Sequence, residues 1–565
     1  MRLLGAIAVT ALVLSGQTAV AAPAVVQPDP LLAFLADPGA VDLAKAAKAR
    51  EAKTRARVLT AAAPGYTYAE REPASARGRN DSPWTAESTD FRRHRAALFT
   101  GSLAADPTMP VVAEFAEPND SAQTASDSGV GTTHRAIRTT GKITGADQDF
   151  YRLRGNGHTT FDTRTEGSDL DTVLTVFDAA GKEIAANDTV GVSTDARLEV
   201  ELAAGVDFFV RVTGGLNTSG AYELTIAAGE GKGDEDFFAV DLKAGDVIGA
   251  SVAGAARKVA VHDSRGREVM GSRQDFSGVY PKENPLPGGG NAVADFLAPR
   301  DGRYHVGVED GTGRYQLTVQ AFRPGSEKAG PQTVFVDFDG ALVDTTVWGP
   351  PGEKQLSPLS KFLANWGLTA ADEKRVVTVA VDTIRENLAL HGNFGVKLLN
   401  SRDHADPWGR KNVSRLVIGG TIAESGVETV AIAQSIDPGN FGHEETAMVQ
   451  LDLLSAPAGP PVSLNTYITP QSDKVLFVGR ALGNIAAHEL GHLSGSWHQH
   501  QFNEHDTLMD QGGNPKAMFA VGADAVGGNA DDTDIDFGED VFVPNEGFTG
   551  IEDAATRTKW GYSRG

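Results

Sequence analysis

Three histidines and a glutamate carry the most specific chemistry in this chain. In His488-Glu489-Leu490-Gly491-His492-Leu493-Ser494-Gly495-Ser496-Trp497-His498 the first two histidines stand four residues apart. On a helix that spacing brings both imidazoles out of one face about a turn apart, where they can share one metal ion. Glu489 lies on the adjoining edge, placed to hold a water against the metal, take its proton during attack on a peptide carbonyl and pass it to the leaving amine. Gly495 stands where the helix must stop, and a left-handed residue there turns the chain so that His498 returns as third ligand. Three histidines leave one exchangeable position on tetrahedral zinc, which is the arrangement of a catalytic rather than a structural ion. A bare His-Glu-x-x-His is compatible with an ordinary buried helix; the added Gly and third His make the reading specific. By contrast His443-Glu444-Glu445-Thr446-Ala447 lacks a second histidine and reads as an exposed turn. His500 and His505 read as exposed or packed behind the ligands.

The elements that must position these residues form a domain over 331–565. The pattern predicts a strand at Val334 to Asp337 and an amphipathic helix from about Asp372 to His391, opened by Thr369-Ala370-Ala371-Asp372. Further strands fit Val396 to Asn400, Arg415 to Ile418, Thr429 to Ser435 and Ala447 to Leu454. The metal helix runs from Asp473 to Leu493 and a short helix from Ile551 to Trp560. Motif and element order together resemble the metzincin clan of zinc peptidases, in which a methionine turn follows beneath the metal. The resemblance makes Met509, in Asp506-Thr507-Leu508-Met509-Asp510, the methionine of that turn. It also implies an edge strand above the cleft that pairs with extended substrate, a role that falls to Ala447–Leu454. Two features depart from the clan: no tyrosine follows Met509 where some members carry an extra ligand, and no cysteine is available for latency.

Between 111 and 323 the texture is one of short Val-, Thr-, Leu- and Phe-rich strands broken by Gly, Asn and Asp, as in a β-sandwich or jelly roll. An internal repeat is visible. Asp147-Gln148-Asp149-Phe150-Tyr151 recurs as Asp234-Glu235-Asp236-Phe237-Phe238, and Gly220-Ala221-Tyr222 recurs as Gly313-Arg314-Tyr315. The reading is two tandem β modules, 111–228 and 229–323. The first, with Glu117-Pro118-Asn119-Asp120 and Ser168-Asp169-Leu170-Asp171, resembles the bacterial pre-peptidase C-terminal domain that accompanies secreted peptidases. The second keeps the framework but lacks the Ser-Asp-Leu-Asp segment. Two acidic groups suit a hard cation such as calcium or, equally, a solvated loop: Asp531, Asp532, Asp534 and Asp536 with Glu539 and Asp540, and Asp169, Asp171 and Asp188.

The expected fold is therefore multidomain: two β-sandwich or jelly-roll-like modules followed by an α+β, metzincin-like zinc peptidase domain. Residues 1–22 read as a secretory signal, with Met1-Arg2, an apolar run to Leu14 and small residues near the cleavage point. Residues 23–110 read as a leader, either an inhibitory propeptide or a flexible linker. The chain of 565 residues contains no cysteine, so neither disulfides nor thiol chemistry are available. A net charge of -23 speaks against a nucleic-acid partner, and no apolar run is long enough for membrane insertion. The expected function is a secreted zinc metalloendopeptidase acting on protein or peptide substrates, extracellular or periplasmic. The alternative is a secreted protein whose β modules bind an extracellular matrix or polysaccharide, the metal domain being a narrow self-processing or inactive peptidase.

Overall fold

A computed structural model of the chain describes residues 65–563 apart from short internal stretches, the longest being 105–109, 188–194, 229–233, 325–331 and 390–394. The proposed signal segment, the leader up to residue 64 and Asp188 lie outside the described residues. Most of the structure is β-sheet, with two long helices confined to the C-terminal unit.

The two β modules are nested rather than tandem. The inner module packs a four-stranded sheet (Arg197–Leu202, Gly157–Arg164, Gly220–Ala228, Ala136–Ile143) on a five-stranded one (Ser126–Asp127, Asp149–Arg154, Asp207–Gly214, Thr172–Asp178, Glu183–Asn187). Alternating residues such as Ile137, Phe161, Leu174, Val210 and Leu224 close its core. The outer module repeats this plan but begins in the expected leader. Its strand Ala96–Leu103 pairs with Gly302–Phe322 so that Gly101 faces Tyr315, as Gly141 faces Tyr222 in the inner module. Glu87–Ser88 runs parallel to Asp236–Leu242 as Ser126–Asp127 does to Asp149–Arg154. The described part of the leader is thus folded into a sheet, with Phe91 and Phe99 in the core, and the boundary expected at 110 is corrected. Sequence periodicity understated this segment because its apolar residues are few and its long strand pairs with Gly302–Phe322, more than 200 positions away.

Loss of the Ser-Asp-Leu-Asp segment has a visible consequence. Where the inner module has Gly157–Arg164 and Thr172–Asp178 as separate strands in opposite sheets, the outer has one bent strand, Val247–His262, shifted in register between Gly254 and Ala256. Gly254 has φ +94° at the bend, a left-handed conformation that favours glycine.

In the C-terminal unit the elements are β1 (Thr333–Asp337), α1 (Glu373–Ala389), β2 (Lys397–Asn400), β3 (Val413–Ile418), β4 (Ala431–Ala433), β5 (Thr446–Val449), α2 (Lys474–Leu493) and α3 (Ala554–Gly561). The sheet order is β2-β1-β3-β5-β4, with the first four strands parallel and β4 antiparallel to β5. β5 is therefore an interior strand, not the edge expected of 447–454; the edge is β4, which lies against α2. Every residue of β5 is buried, so its apolar run records burial on both faces rather than exposure to a substrate.

Helix α1 buries Val376, Val377, Ala380, Val381, Ile384 and Leu388 in the core, and Asp372 accepts hydrogen bonds from Thr369 N and Oγ1 just before it starts. Helix α2 starts at Asp473, whose side chain accepts from Leu476 N at 3.1 Å, and is buried over almost its whole length. The two helices approach closely through glycines: a Cβ at Gly479 would lie 2.6 Å from Val379 Cβ, and one at Gly483 would lie 2.6 Å from Thr383 Cβ.

Candidate metal centre

The last turns of α2 carry His488, Glu489 and His492, all buried, and the helix ends on Leu493. Ser494 N returns to Leu490 O and Gly491 O, and Gly495, at φ +99°, reverses the chain as its position in the motif requires. Glycine is needed twice there, since a Cβ would also sit 2.3 Å from Pro438 Cα. The turn brings His498 back: one ring nitrogen from each of His488, His492 and His498 lies within 4.8 Å of the others.

The opposite nitrogen of each ring is already engaged. His488 Nδ1 faces Leu508 O at 2.5 Å, and His492 Nδ1 faces Ser496 O at 2.8 Å. A carbonyl only accepts, so both Nδ1 atoms carry the proton and both Nε2 atoms present lone pairs. These two Nε2 atoms are 3.1 Å apart. Two lone pairs at that distance repel, and a shared cation removes the repulsion. His498 Nδ1 pairs with the Glu546 carboxylate in a short contact. The three rings are thus oriented as imidazole ligands generally are, with Nδ1 held by a carbonyl or carboxylate and Nε2 turned inward. By its donor set the site fits zinc.

Burial sets the protonation states. It pushes His488 down to about 3, with the neighbouring His498 adding to the effect, and His492 well below its ordinary value. Burial opposes protonation of His498 too, but the Glu546 carboxylate outweighs it and holds that ring above its usual range. Glu489 is pushed up to about 8 by burial, and its Oε2 is buried without a hydrogen-bond partner in the protein. A cation beside it would favour the carboxylate and bring it back toward the range of a general base.

Met509 is fully buried, and a Cβ added at Gly491, between the two helical histidines, would meet its Sδ at 2.5 Å. The methionine therefore lies directly against the ligand-bearing turn, and the residue before it supplies the carbonyl that orients His488. His500 donates its backbone N–H to Val541 O at 3.1 Å, and His505 is exposed; neither belongs to the histidine group. Glu546 was not singled out from sequence. It lies 48 positions beyond His498, and nothing in a lone glutamate in a polar loop signals that relation.

Of the residues expected to hold calcium, those that are described join no group of three potential ligands; Asp188 lies outside the described residues. Asp531 and Asp534 are exposed, Asp531 Oδ2 faces Asp524 N, and Asp532 Oδ2 accepts from Gly528 N at 2.9 Å. Asp536, Asp169 and Asp171 join no group of three potential ligands among the described residues either. Regular spacing of acids in a loop places them on different sides of it. Carboxylates instead gather at equivalent corners of the two β modules: Glu117, Asp120 and Asp147 in the inner, and Glu70 and Glu72 with Asp236, next to Asp81 and Asp234, in the outer. The equivalence extends to the backbone, where Phe150 N donates to Asn119 O and Phe237 N to Asn80 O, both at 3.0 Å.

No family model matches the chain, and no curated protein matches it. Among solved structures it is similar to Aeromonas hydrophila PliG, a periplasmic inhibitor of g-type lysozyme (16% identity over 21% of this chain and 97% of that one, TM-score 0.14). It is also similar to the pre-peptidase C-terminal domain of a Bacillus anthracis collagenase (13%, 21% and 93%, TM-score 0.14) and to a Yersinia pseudotuberculosis-derived mitogen (16%, 17% and 88%, TM-score 0.14). No helix among the described residues is long and apolar enough to cross a membrane.

Proposed function

We propose that the chain is a secreted zinc metalloendopeptidase of metzincin type. The observation that carries the reading is the convergence of three Nε2 atoms whose Nδ1 partners are already committed, with the buried carboxylate of Glu489 on the same turn. His488, His492 and His498 would hold zinc there, and the bound ion would supply Lewis acidity to polarise a peptide carbonyl and make water nucleophilic near neutral pH. Glu489 orients the attacking water, receives its proton on a carboxylate oxygen and delivers it to the leaving amine. Leu508 O, Ser496 O and Glu546 keep the three rings in the ligating orientation, and Met509 forms the floor beneath them. The sheet supports the family reading through its antiparallel edge β4 beside α2, where an extended substrate could add a strand.

The test compares casein or quenched-peptide cleavage by the purified protein and by Glu489→Ala, with zinc measured on both. Cleavage by the parent only, with about one zinc per chain on each and loss of activity on chelation, is expected. Zinc without cleavage, in a chain also trimmed of its leader, would instead favour the matrix- or polysaccharide-binding alternative. That role suits the inner module, whose core is closed within itself.

Calcium belongs, in this reading, to the acidic corners of the β modules rather than to the loop at 531–536. Burial raises Asp149, beside the inner corner, to about 7 and Asp236, in the outer, to about 9, with neighbouring carboxylates adding to the effect; a hard cation bound there would favour the charged forms. Thermal unfolding with and without calcium, at constant zinc, should show a rise of about 2.7 kcal/mol in stability at 100-fold excess over Kd. An unchanged melting temperature for Asp147→Asn and parent alike would remove calcium from the account.

A further inference from the structure

The turn that delivers His498 is not held by its own domain alone. Ser494, Gly495 and Ser496 still donate back to the end of the helix, but the path over 494–499 is also held by groups outside it. Four such contacts grip it. Gly495 O accepts from Arg557 Nη1 at 3.1 Å, Trp497 N donates to Glu552 Oε1 at 3.1 Å, Gln499 Nε2 donates to Glu552 O at 2.8 Å, and Trp497 Nε1 donates to Asp295 Oδ2 at 3.1 Å. Arg557 and Glu552 belong to the C-terminal unit, but Asp295 lies on strand Ala292–Leu297 of the outer β module. Its carboxylate is fully buried and serves three donors: Trp497 Nε1, Tyr280 OH at 2.9 Å and Arg557 in a short ion pair. Apolar packing follows the same line, with the Trp497 ring against Phe276 and Phe548 at centroid distances of 4.6 Å each.

We infer that Asp295 of the outer β module is a positioning residue for the zinc site, holding the Gly495–Trp497 turn and through it the ring of His498. This rests on the zinc peptidase reading and extends it: the β module is part of the catalytic unit, because one of three ligands takes its position from it. Asp295 touches neither metal nor substrate. Its effect passes through Trp497, the neighbour of His498, and through Arg557, which it orients onto Gly495 O. Arg557 also pairs through Nε with the buried Glu552 carboxylate at 3.0 Å, so neutralising Asp295 leaves the guanidinium with one carboxylate partner and frees it to shift away from Gly495 O, which moves the turn rather than only the global fold.

The full-length protein and its Asp295→Asn and Trp497→Phe variants would be loaded with cobalt in place of zinc. Visible absorption reads the ligand field, competition with a chelator reads zinc affinity, and circular dichroism reads the fold. The expected result is a folded Asp295→Asn protein with an altered cobalt band and zinc affinity lower by about 10-fold, the lower end of what outer-sphere changes cause. Trp497→Phe removes only the Nε1–H donor to Asp295 and should shift both readouts in the same direction by less; it decides the matter if Asp295→Asn fails to fold. Folded variants with the parent's cobalt band and zinc affinity would overturn the inference while leaving the peptidase reading intact. A parent that binds neither ion would overturn both.

Discussion

Around the three converging histidines, individual atoms decide what the residues can do. Nδ1 of His488 and His492 cannot face a carbonyl without a proton, so each ring offers Nε2, and no other side chain is needed to select the tautomer. His498 differs because its Nδ1 partner is the carboxylate of Glu546, which both orients the ring and makes it more basic. Glu546→Gln keeps an acceptor near that nitrogen but removes the charge. Zinc affinity should fall by roughly 10-fold or more, with little change in melting temperature of the metal-free protein, and competition against a chelator reads the difference. Equal affinity in the two proteins would mean that Glu546 only packs there.

At the scale of elements, the site depends on how closely α2 can approach its neighbours. The glycines at 479 and 483 let α1 and α2 touch along their backbones, and the Asn387 Nδ2 to Asn484 Oδ1 hydrogen bond at 3.1 Å sets their register inside the core. Gly483→Ala would improve intrinsic helix propensity by up to about 1 kcal/mol. It would also drive a methyl into Thr383 Cβ and Ala380 O, at 2.6 and 2.8 Å. Overpacking of this kind costs roughly 1–3 kcal/mol, so the net effect should be destabilising, lowering the denaturant midpoint at unchanged slope. A more stable variant would show that the helices can separate freely. The same level explains the edge-strand correction. β5 reads as apolar and extended whether it is an edge or an interior strand, and only its pairing with β3 on one side and β4 on the other tells them apart.

For the whole molecule the consequence of nesting is that the two β modules differ in dispensability. The inner module is inserted between Leu103 and Asp234, where Ala104 N donates to the Asp234 carboxylate, so the two ends of the insertion meet. Replacing 105–233 by a short Gly-Ser linker should leave the outer module folded and turnover of a soluble peptide within about twofold of the parent. Its retention on an insoluble matrix is then the property to compare. Loss of turnover in this shortened protein, with zinc still bound, would contradict the separation. The outer module cannot be removed in the same way, because Phe276, Phe548 and Trp497 form one core across the boundary and strand Phe548–Thr549 joins its sheet.

The convergence of His488, His492 and His498, the place of Glu489 beside them and the helix-ending glycine were legible in the sequence because they are local. Their placement follows from helical periodicity, from a left-handed turn and from eleven consecutive residues, none of which requires distant chain. Met509 was legible through resemblance, and the structure adds the reason for its place, the contact with Gly491. The extents of the two helices and the succession of strands along the chain followed from apolar periodicity, whereas the order of the strands in the sheet did not. What the sequence could not decide were relations between residues far apart along the chain: Glu546 behind His498, Asp295 beneath Trp497, the closing of 65–104 onto 234–322 around an inserted module, and the gathering of carboxylates at the corners of the two β modules. Each depends on which surfaces meet after folding, and burial and charge pairing, rather than spacing, select among them.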